Sequence, residues 1–343
     1  MGRYVVRRLL QAIPVLFLIS LIVFTLASKM GDPLASFGGR RRIRSSDRER
    51  LTRLLGLDKP VIVQYGIWLI GNDWMDIDTD GDGVPDVKGT RKGILRGDLG
   101  RSFMAKRPVI DLIKERLPNT LLLMLVAEAI IISLSLLIGI YSALKQYSVL
   151  DHLVTAFSFI GYSMPIFWTA LMMIYIFAIK FKEWGLPYLP PVGKYDLDVG
   201  PTFTQVAWHM ILPVASIAII SIAGYTRFIR SSMLEVVYED YIRTARAKGL
   251  SEKVVLFRHA LKNAALPLVT IIGLDIPFLL GGAVVTESIF AWPGMGRLYW
   301  NAAQDTDIPV LMGVLMMISL AVVIFQLITD LTYTYLDPRI RYD

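Results

Sequence analysis

Two carboxylates, Glu128 and Asp275, stand inside long apolar runs. A carboxylate is costly in hydrocarbon, so each is expected to face protein or water. Each either lines a path for a cationic substrate group or, protonated or paired, holds helices together. A second group, Asp76, Asp78, Asp80, Asp82 and Asp86, alternates with Gly81 and Gly83 in one short stretch. Alternate aspartates turned by a glycine bring hard oxygen ligands to one point, as a calcium loop requires. With Asp78 as first ligand, Gly83 falls sixth and Asp86 ninth; with Asp76 first, Gly81 falls sixth. Neither register puts a glutamate twelfth, where Gly89 or Val87 stands, so this is not a full EF-hand. The stretch is either a structural calcium loop or a solvated acidic turn. Other chemistry is sparse. Absence of cysteine excludes thiolate metal sites, disulfides and cysteine nucleophiles, and His152, His209 and His259 have no metal-ligand spacing. With no glycine-rich phosphate loop and no Gly-x-Ser-x-Gly elbow, the expectation is a non-enzyme with no catalytic cofactor. Energy for work would come from a gradient or from another chain.

The elements that hold these residues are membrane helices. Hydrophobic residues make up 54% of the 343 positions and charged ones 19%, with mean hydropathy +0.52. That balance predicts an all-α integral membrane protein. Crossing the hydrocarbon takes about 20 apolar residues. Six segments qualify, near 9–28, 119–144, 153–179, 206–228, 264–288 and 308–331. The first is longer than the apolar part of a signal peptide, which predicts a retained span. Pro165, Pro213, Pro267 and Pro277 predict kinks, and Gly273, Gly281, Gly282 and Ala283 predict close helix approach.

Lys and Arg set the orientation. Arg3, Arg7 and Arg8, Lys145, the series from Arg227 to Lys262, and Arg339 with Arg341 fall on one side. Lys180, Lys182, Lys194 and Arg297 fall on the other, with Lys29 at a span edge. Both termini and the 229–263 loop are therefore expected in the cytoplasm of a prokaryotic cell, with the chain multi-pass in its plasma (inner) membrane. Residues 1–29 would be the N-terminus and first transmembrane helix, 30–117 an extracytoplasmic loop domain, and 118–343 a five-helix core. In the outer loop, 48–57 and 109–117 read as amphipathic helices. The run Arg40-Arg41-Arg42-Ile43-Arg44 is either solvated or meets an anionic partner.

The cytoplasmic stretch Arg243-Thr-Ala-Arg-Ala-Lys-Gly249 resembles the loop by which permeases of binding-protein-dependent ABC importers meet their ATPases. The general pattern is Glu-Ala-Ala, three residues, Gly, then Ile-x-Leu-Pro. Here Arg243 and Thr244 replace the first two residues, Ala245 and Gly249 match, and Leu266-Pro267 follows late. Those departures look like the peptide and nickel branch. Gly97-Asp-Leu-Gly-Arg-Ser102, Arg116-Leu-Pro-Asn-Thr-Leu121, the stretch from Gly281 to Leu298 and Leu336-Asp-Pro-Arg-Ile-Arg341 resemble the first of its two permeases. The resemblance implies a type I importer permease with six transmembrane helices, importing di- or oligopeptides. It also implies a second homologous permease, two ATP-binding subunits that hydrolyse the ATP, and an extracytoplasmic substrate-binding protein, with no nucleic acid. Tyr241, Arg243, Thr244, Ala245, Arg246, Lys248 and Gly249 would then dock an ATPase. Ala245 and Gly249 are four apart and would share a small-residue face, while the cations meet acidic rims. The acidic stretch at 76–86 is outside that pattern; its Asp78 register resembles thrombospondin type 3 calcium repeats. The alternative function is a gradient-driven transporter or channel, which needs a connected set of intramembrane carboxylates. Glu128 and Asp275 read as isolated acids.

Overall fold

A computed structural model describes residues 2–32, 34, 44–264, 268, 271–273, 275 and 284–336. Helix α1 (Gly2–Ala27) carries an uncharged, largely apolar run from Leu9 to Ala27, with Pro14 inside it, in the helical form that lipid demands. It lies against the last helix, α12 (Ile308–Leu336); Arg8 Nη2 sits 2.9 Å from Asp330 Oδ2, and the Tyr4 hydroxyl donates to the same oxygen at 2.8 Å. Leu9, Leu10, Ile13 and Phe17 stay exposed, as on a lipid-facing helix.

A unit between α1 and the next long helix follows, called the outer unit after its expected side. Helix α2 (Ser45–Leu55) ends where Gly56 turns left-handed at φ 70°, and α3 (Val61–Ile70) packs back on α1. Ser20 Oγ lies 2.7 Å from the Tyr65 hydroxyl, and the Phe24 ring meets Tyr65 and Trp68. Strands β1 (Asp76–Ile77) and β2 (Val87–Lys88) pair antiparallel, with Asp76 opposite Lys88. The unit is tied to α12 by Asp307, which accepts from the Ser102 hydroxyl at 2.5 Å and from the amides of Phe103 and Met104.

Helix α4 (Val109–Leu144) runs 36 residues straight through Pro118. The amphipathic turns expected at 109–117 and the span expected from 119 are one rod of about 54 Å at 1.5 Å per residue, longer than the roughly 30 Å hydrocarbon layer. The third span is the reverse case. Expected as one segment over 153–179, it is α5 (Val149–Ser163) and α6 (Ile166–Glu183), bent by 103°. Proline drives its predecessor out of the helical region, and Met164 is extended at φ −80°, ψ 128°. Pro165 then heads the new helix, its carbonyl accepting from Thr169 N at 3.1 Å.

Helix α7 (Phe203–Val237) forms the main core with α4, around Leu123, Ile131, Tyr225 and Met233. Short α8 (Asp240–Ala247), a helical stretch at 252–264 (α9), α10 (Val284–Ile289) and α11 (Met295–Gln304) complete the order. Among the described residues, four helices are long and apolar enough to cross a membrane, five with the bent pair. Most of the span expected at 264–288 lies outside the described residues, with Pro267, Pro277, Gly281, Gly282 and Ala283. The Arg40–Ile43, Leu266-Pro267 and Asp337–Arg341 segments lie outside as well. Gly273 is described, and a Cβ there would collide with Thr329 of α12, in keeping with close helix approach.

Candidate functional site

Helix α8 starts after Glu239 and is pinned by two inward residues, Ile242 and Ala245, 0% and 6% exposed in the main core. Tyr241, Arg243, Thr244, Arg246 and Lys248 all remain exposed. Arg243 pairs with Asp240 at 3.5 Å and Arg246 with Glu252 at 2.9 Å, while Asn263 donates to the Tyr241 hydroxyl at 2.9 Å. Gly249 lies beyond the helix at φ 77°, its amide donating to the Arg246 carbonyl at 2.9 Å. This left-handed stop is what glycine allows without strain. Ala245 and Gly249 therefore do not share a docking face: four-residue spacing aligns side chains only while the helix continues, and this one ends between them. The presented face is polar and basic.

Inside the membrane the two acids meet. The Tyr225 hydroxyl lies 2.6 Å from Asp275 Oδ2 and 3.2 Å from Glu128 Oε1, joining α4, α7 and the 271–275 segment. Tyr225 has one hydroxyl proton and so donates to one acid at a time; a proton on either acid completes the chain. The expectation of isolated acids gives way to a three-residue polar cluster. Tyr225 carried a usable signal, because a phenol in an apolar span needs a hydrogen-bond partner.

Two further carboxylates were not singled out by their spacing. Asp151, with 3% of its side chain exposed, accepts from Arg230 Nε at 2.7 Å, Arg230 Nη2 at 2.9 Å, the Tyr147 amide at 2.9 Å and the Ser142 hydroxyl. This joins the ends of α4, α5 and α7 beside α8. The Arg230 guanidinium holds the Asp151 carboxyl well below the usual range, with Ser142 and the Tyr147 amide adding to the effect. Glu287, near the end of the segment expected at 264–288, is fully buried. It accepts from the Thr120 hydroxyl at 2.7 Å and the Arg297 amide at 3.0 Å, and Trp292 Nε1 donates to the Asn119 carbonyl at 3.0 Å. Gly294 is needed here, because a Cβ would strike the Glu287 carboxylate. The Arg116–Leu121 and 284–298 motif stretches are thus two sides of one contact.

In the outer hairpin, Asp78, Asp80 and Asp82 each offer an oxygen within 4.8 Å of the others. Oxygens around one calcium, at about 2.3–2.6 Å from it, have such separations. Asp78 accepts from the amides of Gly81 and Gly83, which lower its pKa. Asp86 turns instead to the Thr79 hydroxyl at 2.6 Å and amide at 3.0 Å, and Asp76 sits in β1. The loop brings three of the five aspartates together.

Comparison with known proteins follows this geometry. The sequence pattern described as "Binding-protein-dependent transport system inner membrane component" matches residues 135–342, and that of its N-terminal region matches 1–124. The chain is 40% identical to the oligopeptide transport system permease protein AppB of Bacillus subtilis, covering 100% of both chains. It is 35% identical to the dipeptide transport system permease protein DppB of Escherichia coli K12, covering 100% of this chain and 99% of that one. In fold it is similar to the inward-facing MetNI methionine ABC transporter, with TM-score 0.51 and 17% identity over 66% of this chain and 97% of that one. A helical core with several spans fits a multi-pass membrane subunit. The chain belongs to the family of binding-protein-dependent transport system inner membrane components, the permeases of ABC importers.

Proposed function

We propose that this permease carries di- or oligopeptides. The observation that supports this reading most is the full-length similarity to the peptide permeases AppB and DppB. A second homologous permease completes the path, a binding protein delivers the peptide outside, and two ATP-binding subunits drive the cycle from the cytoplasm. Tyr241, Arg243, Thr244, Arg246, Lys248 and Gly249 form the surface that meets an ATPase, with Ala245 anchoring it from behind. ATP-driven closure pushes α8, and the core cluster passes that push to α7 and α4 as rigid rods. Both termini and the 229–263 loop are cytoplasmic. Glu128 and Asp275, joined by Tyr225, line the path and receive the cationic end of the peptide.

The test is uptake of a labelled dipeptide by vesicles holding the complete transporter, driven by ATP. Asp275→Asn should slow uptake of a peptide with a free amino terminus far more than of its N-acetylated form. Equal effects on both would remove Asp275 from the path and leave it a structural role.

In the outer hairpin, Asp78, Asp80 and Asp82 hold a structural calcium ion, with Asp76 and Asp86 shaping the loop. Modules of this kind outside the cell bind at about 10⁻⁴–10⁻³ M. Millimolar calcium should raise the melting temperature of the parent chain and not that of the Asp78/Asp80/Asp82→Ala variant. A parent indifferent to calcium would refute the site.

A further inference from the structure

Between α1, the outer unit and the start of α12 lie two adjoining cavities, lined by none of Glu128, Tyr225 and Asp275. The lower is a trough of about 630 Å³ between α1 and α12, lined by Ile13, Phe17, Leu95, Ile110, Met316 and Leu320 among others. Ser20 is its one hydroxyl, and that group is taken up by the Phe17 carbonyl and the Tyr65 hydroxyl. Ile13, Phe17, Leu95 and Leu320 are 62%, 50%, 72% and 49% exposed, so the trough opens sideways. The upper cavity sits at the end of α1, lined by Phe24, Ser28, Gln64, Trp68 and Arg91, and Leu99 lines both.

Arg91 decides what the pair of cavities suits. Its backbone carbonyl is engaged by the amides of Asn72 and Asp73, but its guanidinium makes no hydrogen bond or ion pair with any described residue. The acid that acts on it electrostatically, Asp98, spends one oxygen on the Lys92 amide and the other on the Gly100 amide. Burial pulls the Arg91 pKa below its ordinary value. Arg91 is half-buried at the cavity wall, and with no carboxylate paired to it among the described residues, an anion in this cavity would meet a partly desolvated, unopposed cation. Along α1, the trough and the upper cavity together run from Ile13 to Phe24, about 16 Å at 1.5 Å per residue. One leaflet's half of the roughly 30 Å hydrocarbon layer is of the same depth. The rings of Phe24, Tyr65 and Trp68 cluster at the top of the trough, where aromatic residues favour the interface. One cation at the top of two adjoining cavities that together run one leaflet deep, the lower of them apolar, describes a single-headed amphiphile. A second protein helix would fill the trough and leave the guanidinium without an anion.

The geometry points to a site for one anionic phospholipid of the leaflet beside the outer unit, its phosphate on Arg91 and one acyl chain in the α1–α12 trough. This rests on the membrane reading of the fold and on no choice of substrate or orientation. A lipid seated there would join α1 and the outer unit to the core, where the direct contacts of α1 are few beyond α12.

Native mass spectrometry of the full chain in mild detergent, titrated with phosphatidylglycerol, tests it. The parent should retain one phosphatidylglycerol. Arg91→Ala should weaken it roughly tenfold, the worth of one charge-assisted hydrogen bond, and Arg91→Lys should restore part. Leu320→Trp, which fills the trough, should weaken it as well, while dioleoylglycerol should be held no better by the parent than by Arg91→Ala. Unchanged retention in Arg91→Ala overturns the proposal. So does binding of inorganic phosphate alone that needs Arg91 and ignores Leu320→Trp, because that describes a free-anion site. Because the chain has no cysteine, a lone Leu320→Cys reports what covers the trough in the assembled transporter. Labelling by a lipid-borne reagent supports the proposal, and crosslinking to the second permease overturns it.

Discussion

Asp151 and Arg230 carry the sharpest consequence at the scale of single residues. Removing one partner of a buried pair strands the other charge, which costs about 3–5 kcal/mol in general. The lower end applies here, since a quarter of the Arg230 side chain is exposed. Asp151→Asn should therefore lower stability by about 3 kcal/mol at neutral pH, and adding Arg230→Met should recover part of the loss. The pH dependence has a definite sign. A carboxylate whose folded pKa is depressed stabilises above its unfolded value, about 3.9 for aspartate, and that contribution fades as pH falls through the lower folded value. Melting curves of parent and Asp151→Asn should thus stay apart from neutral pH to about 4 and converge below it. Coincident curves at pH 7 would show that the pair contributes nothing. Part of this was readable: Ser148-Val-Leu-Asp151 has the spacing of a helix-start box, and the Ser148 hydroxyl accepts from the Asp151 amide at 3.2 Å. Arg230 was not readable, because nothing local says which residue of a distant helix will lie beside Asp151. The same limit separated Glu128 from Asp275 until Tyr225 joined them, and it hid the contact between Glu287 and Thr120.

At the scale of elements, α8 separates two roles that spacing had merged. Ala245 is an anchor and Gly249 a stop, so their substitutions should fail differently. Ala245→Leu adds bulk to a packed core, which costs about 1–3 kcal/mol, and should loosen α8 from α7 and α9. Its signature is lower thermal stability of the isolated chain together with lost transport. Nothing lies within 4 Å of a Cβ at Gly249, so Gly249→Val strains only the backbone, by about 1–2 kcal/mol. It should leave the bulk of the fold intact while abolishing substrate-stimulated ATP hydrolysis in the assembled transporter. Normal coupled uptake by Gly249→Val would sink the coupling role of this turn. Helices were legible where apolar length decides, as in α1, α7 and α12. They were less so where proline was involved. Pro118 is carried inside α4, whereas Pro165 divides α5 from α6 by 103°. Both prolines remove one backbone donor, and the surrounding packing decides whether the helix survives that loss.

At the scale of the whole molecule, the buried clusters sort into two ends. The ends of α4, α5 and α7 meet around Asp151 at one; Asp307 and Glu287 tie the outer unit, α4, α11 and the start of α12 at the other. Helices α4 and α7 are long enough to run between the two ends, and the proposed push on α8 would travel along them. In the proposed topology the Asp151 end is cytoplasmic, on the Lys and Arg asymmetry of the short loops. Lys92 in the outer unit and Lys253 after α8 are both exposed, and with no native cysteine each can become the sole thiol. In intact cells a membrane-impermeant maleimide should label Lys92→Cys, and should label Lys253→Cys only after lysis. Labelling in the opposite order would invert the chain and move α8 away from any cytoplasmic ATPase. It would also leave the charge asymmetry of the short loops without its topological cause.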